Sequence, residues 1–392
     1  MKILLAHNYY QLPGGEDVVF EQERRLLERM GHRVITYTRS NMEIESDRGI
    51  RRAGLLKTIV YAHDSRDHVA GILERERPDV VHVHNTLMMI SPSIFAVCWE
   101  YGIPTVQTLH NYRLICPGVT LYRQGRVCED CTQKSMIHAV RHRCYRQSIV
   151  ATGAVVTMLK YHEVAGTWSN KVSAYIALTE FAKRKFAANG LPAGRIHVKP
   201  NFVDPDPGPS HCSGEYFLFV GRLSEEKGVK VLLEAWEGMT QQIALKIVGD
   251  GPLRADVEEW IRQHHGANVT YLAQCSRSET IALMKDARAV IVPSLWYEGF
   301  PMVLVESFAC GIPVLGSRLG ALEELIDDGI NGMHFDPGDA GELRKAIRWA
   351  WSNPATIRSM GRMARLKYEQ EYSTTANYRQ LLAIYQSVLD RA

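Results

Sequence analysis

Two glutamates eight positions apart bracket the segment Glu298-Gly299-Phe300-Pro301-Met302-Val303-Leu304-Val305-Glu306. Glu298 follows an apolar run that ends at Pro293, and Glu306 falls inside the helical stretch that comes next. Val303 and Leu304 therefore sit in the first turn of a helix, where N–H groups without intrahelical partners attract an anion. Carboxylates accept hydrogen bonds from hydroxyls, so the segment can hold a diphosphate at the helix start with a hydroxyl-bearing group at each acid. A second segment, Phe219-Val220-Gly221-Arg222-Leu223-Ser224-Glu225-Glu226-Lys227-Gly228, ends a strand in a glycine and places Arg222 and Lys227 in one loop. Two cations so placed can clamp a diphosphate and stabilise its charge as it leaves.

Smaller signals lie nearer the N-terminus. Pro13-Gly14-Gly15-Glu16 follows the first apolar run, and its glycines bare backbone N–H groups at a helix start. The spacing is not G-x-G-x-x-G, which disfavours a nicotinamide cofactor. His110, in Thr108-Leu109-His110-Asn111, ends a strand, where doubly wound sheets bind ligands. His84 and Asn85 end another strand and are better placed for a ligand than His82. Cys116, Cys128, Cys131 and Cys144 fall within 29 residues and include one C-x-x-C. Four thiols suit a tetrahedral structural zinc, although the outer spacings match no standard finger; buried or redox-active thiols are the alternative. Asp204-Pro205-Asp206 spells D-x-D within a proline-rich stretch and reads as a turn, so no catalytic divalent metal is expected.

The elements that must position these residues alternate. Lys2 to Ala6 reads as a strand, Asp17 to Met30 as a helix and Arg33 to Thr38 as a strand, which is a βαβ unit and implies a parallel sheet. Val80 to His84, Thr105 to Leu109 and Ala174 to Ala177 continue the series. Asn201 to Gly214, rich in proline, interrupts it. A second series follows at Tyr216–Val220, Leu245–Val248, Val269–Leu272, Ala289–Val292 and Val314–Gly316. The expectation is α/β, with two doubly wound Rossmann-like domains, 1–200 and 201–373, facing across a cleft. From Thr374 onward, Tyr378, Leu381, Leu382, Tyr385 and Leu389 keep helical spacing.

Composition narrows the function classes. With 46% hydrophobic and 23% charged residues the chain is an ordinary globular one. Its net charge of +3 divides into +9 over residues 1–200 and −6 over 201–392. The first half could meet an anionic surface or a phosphate-bearing acceptor. Nothing resembles the dense basic runs of a nucleic-acid binder. No apolar run reaches the ~18 residues of a membrane span, and no secretion signal is evident, so a cytoplasmic location with reduced thiols is expected.

Taken jointly, Gly14-Gly15, His110, Gly221-Arg222-Leu223-x-x-x-Lys227-Gly228 and Glu298-x7-Glu306 resemble the retaining glycosyltransferases of family 4, which have the GT-B fold. Val248-Gly249-Asp250-Gly251-Pro252-Leu253 and Asp328-Gly329-x-Asn331-Gly332 match further family segments. Pro200-Asn201-Phe202-Val203-Asp204 resembles the interdomain Pro-Asn-Gly-Val-Asp, with Phe202 in place of glycine. The resemblance implies a nucleotide-sugar donor, a UDP- or GDP-hexose, and a glycan or lipid-linked acceptor in cell-surface polysaccharide or glycolipid assembly. It implies that Gly15, Arg222 and Lys227 approach the diphosphate. Glu298, with the Gly299 and Phe300 amides, would bind the donor sugar, Glu306 the ribose, and His110 would lie beside the transferred sugar. The last helix, 374–392, would cross back onto the first domain. Anomeric configuration would be retained by front-side departure and attack, with no enzymic nucleophile. Two rivals share this architecture: a nucleotide-sugar 2-epimerase and a non-catalytic nucleotide-sugar sensor. The joint presence of Arg222, Lys227, Glu298 and Glu306 favours transfer over both. A zinc-ribbon nucleic-acid binder is weakened by the mild charge.

Overall fold

The computed structural model describes residues 1–11, 14–44, 51–210 and 214–391. Two parallel sheets organise the chain. The first contains β1 (Lys2–Tyr9), β2 (Arg33–Ser40), β3 (Val80–Asn85) and β4 (Thr105–Leu109). A two-stranded antiparallel hairpin of β5 (Tyr122–Arg123) and β6 (Arg126–Val127) follows, and then β7 (Ala174–Ala177) and β8 (Ile196–Val198) complete the first sheet in the order β2-β1-β3-β4-β7-β8. The second sheet comprises β9 (Tyr216–Val220), β10 (Ala244–Val248), β11 (Val269–Tyr271), β12 (Ala287–Val292), β13 (Val314–Ser317) and β14 (Gly332–Phe335), ordered β11-β10-β9-β12-β13-β14. Strands β3, β4 and β7 are buried throughout, as strands of a parallel sheet covered on both faces are, and β3 and β4 bury polar side chains among their apolar ones.

The chain divides into two compact units. One comprises Met1–Leu121, Glu129–Asn201 and Asn377–Ala392; the other comprises Tyr122–Cys128 and Phe202–Ala376. In the first, the helix Gly15–Arg29 buries Val19, Phe20, Glu23, Leu26 and Leu27 on one stripe. Its start is closed by the Asp17 carboxylate, which accepts from the Gly14 N–H at 2.8 Å. Phe20 and Leu27 join Ile3, Leu5, Val80, Val106, Ala174 and Ile176 in one core. The C-terminal helix Thr374–Leu389 supplies Leu381, Ile384, Tyr385 and Val388 to that core, so the last residues of the chain complete the first sheet's cover.

In the second unit the strand order reverses direction of growth between β9 and β12, the place where doubly wound sheets open a crevice at their carboxyl ends. Two glycines are required there. Gly228 has φ +72°, and a Cβ on it would fall 1.8 Å from the Pro293 carbonyl oxygen. A Cβ on Gly249 would fall 1.9 Å from the Gly221 carbonyl oxygen. These loops touch backbone to backbone, and only glycine allows it. The proline-rich stretch is anchored rather than loose. Phe202 and Val203 are fully buried, and Asp206 accepts from both terminal nitrogens of Arg365 at 2.7 Å.

Candidate active site

The loop after β9 and the loop after β12 meet at the crevice of the second unit. The Leu295 N–H donates to the Glu226 carbonyl at 2.8 Å, which ties one to the other. Lys227 then reaches both oxygens of Glu298, at 2.8 and 3.0 Å. Ser294 donates to Glu298 Oε1 at 2.6 Å, and the Lys227 ammonium lies 5.3 Å from the centre of the Trp296 ring. Glu298 is 4% exposed, so its charge is held by a cation, a hydroxyl and little water. Arg222, on the same loop as Lys227, is exposed, and its side chain makes no ion pair or hydrogen bond with any described residue. Of the two loop cations, Lys227 is engaged and the Arg222 side chain is not.

Glu306 lies just over one turn into the helix Met302–Ala309 that starts beside these groups. Burial pushes its carboxyl above the ordinary range, and Arg277, 3.4 Å away, counteracts this in part. Arg277 also donates to the Asp204 carbonyl at 2.8 Å. At the helix start the Leu304 N–H already donates to the Pro301 carbonyl at 3.0 Å. Of the two first-turn amides expected to meet an anion, Val303 is the one left to do so, because the tight turn at Pro301 consumes the other.

The first unit assembles its own group at the carboxyl ends of β1, β3 and β4. Asn111 donates to Glu16, and Tyr10 donates to the same carboxylate at 3.0 Å. The Gly14-Gly15 turn is thereby fastened to the strand end that carries His110; Pro13 lies outside the described residues. Nothing lies within 4 Å of the place a Gly15 Cβ would take, so that position is open. His110 is 9% exposed, and its Nε2 lies 3.0 Å from His84 Nδ1. Both rings are held neutral. Burial lowers His84 to about 3 and His110 well below the usual imidazole range, and neighbouring histidines add to it. His82 is bonded to Thr108 at 2.8 Å and Tyr385 at 2.7 Å, which makes it a core histidine.

The cysteines divide. A Cβ built on Gly118 would stand 3.1 Å from Cys144 Cβ and 3.8 Å from Cys116 Sγ, so those two side chains converge on one glycine. Cys131 lies in the short helix Asp130–Gln133 of the same unit, and Cys128 follows the β5–β6 hairpin, which belongs with the second. All four are partly buried.

Several members of these groups carry no motif. Ser294, Trp296 and Arg277 have no fixed spacing to the acids they serve. Glu23 is an acid on the apolar stripe of a helix, and that violation of the stripe was the one readable signal for it.

Comparison with known proteins places the chain. Residues 13–207 match the model described as Glycosyltransferase Family 4, and residues 209–367 match Glycosyl transferases group 1. D-rhamnosyltransferase WbpZ of Pseudomonas aeruginosa is 32% identical over 160 residues, 40% of this chain and 42% of that protein. D-inositol 3-phosphate glycosyltransferase of Pseudarthrobacter chlorophenolicus is 27% identical over 341 residues, 84% of this chain and 76% of that protein. The chain spans about two-fifths of the length of the first curated relatives it matches. Among solved structures, Anabaena Alr3699/HepE in complex with UDP superposes with TM-score 0.69 at 18% identity, covering 99% of this chain and all of that one. A glycosyltransferase from Rickettsia africae superposes with TM-score 0.73 at 16% identity over the whole of both chains. Two parallel-sheet units, two adjoining family models and these full-length structural matches lead to one assignment: the chain belongs to the group 1, family 4 glycosyltransferases of GT-B fold.

Proposed function

We propose that this protein is a retaining hexosyltransferase that takes a UDP- or GDP-linked sugar and passes the sugar to a glycan or lipid-linked acceptor in polysaccharide or glycolipid assembly. The observation that carries the reading is the Lys227–Glu298–Ser294 cluster with Arg222 unengaged beside it at the crevice between β9 and β12. Arg222 and Lys227 would receive the diphosphate, with the Val303 amide at the helix start and the open Gly15 backbone. Glu298, with the Gly299 and Phe300 amides, would take the sugar hydroxyls, and Lys227 would exchange the carboxylate for phosphate as the donor arrives. Glu306 would take the ribose. Solved relatives that hold UDP or UDP-glucose support a nucleotide-sugar donor. A catalytic divalent metal has no role in this reading; the D-x-D carboxylate of Asp206 is committed to Arg365.

Thermal stabilisation by a panel of nucleoside diphosphates and their sugars tests the reading. A ligand at a hundredfold excess over its Kd should raise stability by about 2.7 kcal/mol. No stabilisation by any member would sink it.

Peripheral contact with an anionic membrane is also proposed for the first unit. The helix Ile149–Val164 exposes Val150, Thr157, Tyr161 and Val164 along one stripe, with Val164 at 89%, and the exposed Leu56 and Lys57 lie in the groove shared with Tyr161. Arg141, Arg143 and Arg146 precede that helix and are exposed. A structural zinc on Cys116, Cys128, Cys131 and Cys144 is proposed on their spacing.

A further inference from the structure

A chain of charged and polar side chains runs through the first unit behind His110. Lys199 and Glu23 are each 1% exposed, and Lys199 Nζ donates to Glu23 Oε2 at 2.8 Å. Glu23 Oε1 lies 3.2 Å from His84 Nε2 and 3.0 Å from His82 Nδ1, close to both but aligned as a hydrogen bond with neither. His84 Nδ1 then meets His110 Nε2 at 3.0 Å. No described residue is hydrogen-bonded to His110 Nδ1, and the ring lines a small cavity with Thr86, Gln107, Asn111 and Arg113. A buried ion pair placed behind two neutral histidines is a costly arrangement for stability alone. The glycosyltransferase reading leaves it unused.

We infer that the Lys199–Glu23 pair sets the tautomer of His110 through His84, so that His110 presents a bare Nδ1 as a hydrogen-bond acceptor for a hydroxyl. Burial alone would push the Glu23 carboxyl up, but the Lys199 ammonium and the histidines beside it outweigh burial and hold it well below its usual range. It is therefore a carboxylate. A ring nitrogen 3.2 Å from a buried carboxylate turns an N–H toward it, because a lone pair there would be repelled. His84 thus carries its proton on Nε2 and offers a lone pair at Nδ1. The contact at 3.0 Å needs one donor and one acceptor, so His110 donates from Nε2. In a neutral imidazole the other nitrogen is then an acceptor. Thr108 and Tyr385 satisfy both nitrogens of His82, which keeps that ring out of the relay. The Lys199 ammonium already occupies the place a metal cation would take beside Glu23, His82 and His84. Glu23, Lys199 and His84 are positioning residues; His110 is the group that meets the ligand.

The inference rests on the proposed sugar transfer for the identity of the hydroxyl, which would belong to the donor sugar or the acceptor. The tautomer itself is measured without any ligand. Nitrogen-15 spectra of the histidine-labelled protein, with His110 and His84 assigned by their loss in His110→Gln and His84→Gln, should show both rings protonated on Nε2 and bare on Nδ1 at pH 7. Glu23→Gln removes the carboxylate and should let the Nδ1–H form of His110 appear. If the unpaired Lys199 prevents folding, Glu23→Gln with Lys199→Met removes both charges and should give the same spectral change. With a donor found by the stabilisation panel, the same variant should lose about tenfold or more in kcat, the loss expected from one hydrogen bond to a reacting group, while its KM for that donor stays within about twofold. Nδ1–H on His110 in the unaltered protein, an imidazolium at pH 7, or a spectrum that Glu23→Gln leaves unchanged overturns the inference. A panel without a stabilising nucleotide sugar would instead overturn the transferase reading and leave the tautomer result standing.

Discussion

Lys227 and Arg222 share a loop and a charge, but the fold uses them differently. Lys227 is the cation that neutralises Glu298, which is 4% exposed; Arg222 neutralises nothing among the described residues. Arg222→Ala should therefore weaken nucleotide-sugar binding by about 1.5–3 kcal/mol, the worth of a charge-assisted contact, and leave unfolding unchanged. Lys227→Ala should weaken binding to a similar degree and also lower stability by about 1–3 kcal/mol, because a buried carboxylate loses the cation that faces both of its oxygens. Adding Glu298→Gln to Lys227→Ala should recover stability without recovering binding. Calorimetric titration and urea unfolding separate the two effects. Equal stability of the two single variants would mean that the Lys227–Glu298 pair holds nothing in place.

At the scale of elements, glycines decide where the loops lie. Gly228→Ala must meet the Pro293 carbonyl and adopt a left-handed backbone, which alone costs roughly 1–2 kcal/mol. Its Tm should fall clearly. Gly15→Ala meets nothing within 4 Å and should leave Tm unchanged, yet its methyl would stand where a phosphate is proposed to approach the backbone. Loss of donor affinity at unchanged Tm is the expected result for Gly15→Ala; unchanged affinity would remove that turn from the donor site. The cysteine segment is the other element with a prediction. Protein made in zinc-replete medium should carry about one zinc per chain, and replacing any of Cys116, Cys128, Cys131 or Cys144 with serine should lower both zinc content and stability. Metal analysis that finds none would leave these thiols as packing residues, as the convergence of Cys116 and Cys144 on Gly118 also allows.

For the molecule as a whole, buried neutral histidines couple stability to pH. Burial lowers His84 to about 3, His162 to about 4 and His110 well below 6.5. Each folded value lies below the unfolded one, so the contribution is complete above about pH 6.5 and is lost as pH falls toward the folded values. Each ring can remove up to about 1.4 kcal/mol per pH unit in that window. The urea midpoint should drop between pH 7 and pH 5, because the lowered rings outnumber the buried carboxyls of Glu306 and Glu16, whose raised values act the other way; a flat midpoint would show that these rings ionise freely. Membrane contact is the second whole-molecule property. The exposed stripe of Ile149–Val164 and its flanking cations should pellet with anionic vesicles and not with neutral ones. Binding should fade toward 1 M salt, where screening shortens to about 3 Å. Tyr161→Asp with Val164→Asp should abolish it, and no pelleting at low salt would sink the membrane proposal. Arg51 and Arg52, close in sequence to Leu56 and Lys57, have side chains outside the described residues.

What the sequence determined by itself was local. Ten of the parallel strands were readable because short segments rich in apolar and β-branched residues alternate with helical stretches, and the loops Gly221–Gly228 and Glu298–Glu306 were readable because each motif is contiguous. Ile196–Val198 and Gly332–Phe335 escaped notice: the first is three residues long, the second opens on glycine, and both edge their sheets. The resemblance carried the family, since several weak motifs in one order are jointly specific. Only the tertiary structure decided the partners. Lys227 finds Glu298 71 positions away, Lys199 finds Glu23 176 positions away, and Tyr385 reaches His82 across 303. A parallel sheet brings the ends of distant strands together through long crossovers, so no spacing along the chain encodes which side chains will meet there. Which acid is engaged, which cation is left for a ligand and which face of His110 is bare are set by those meetings.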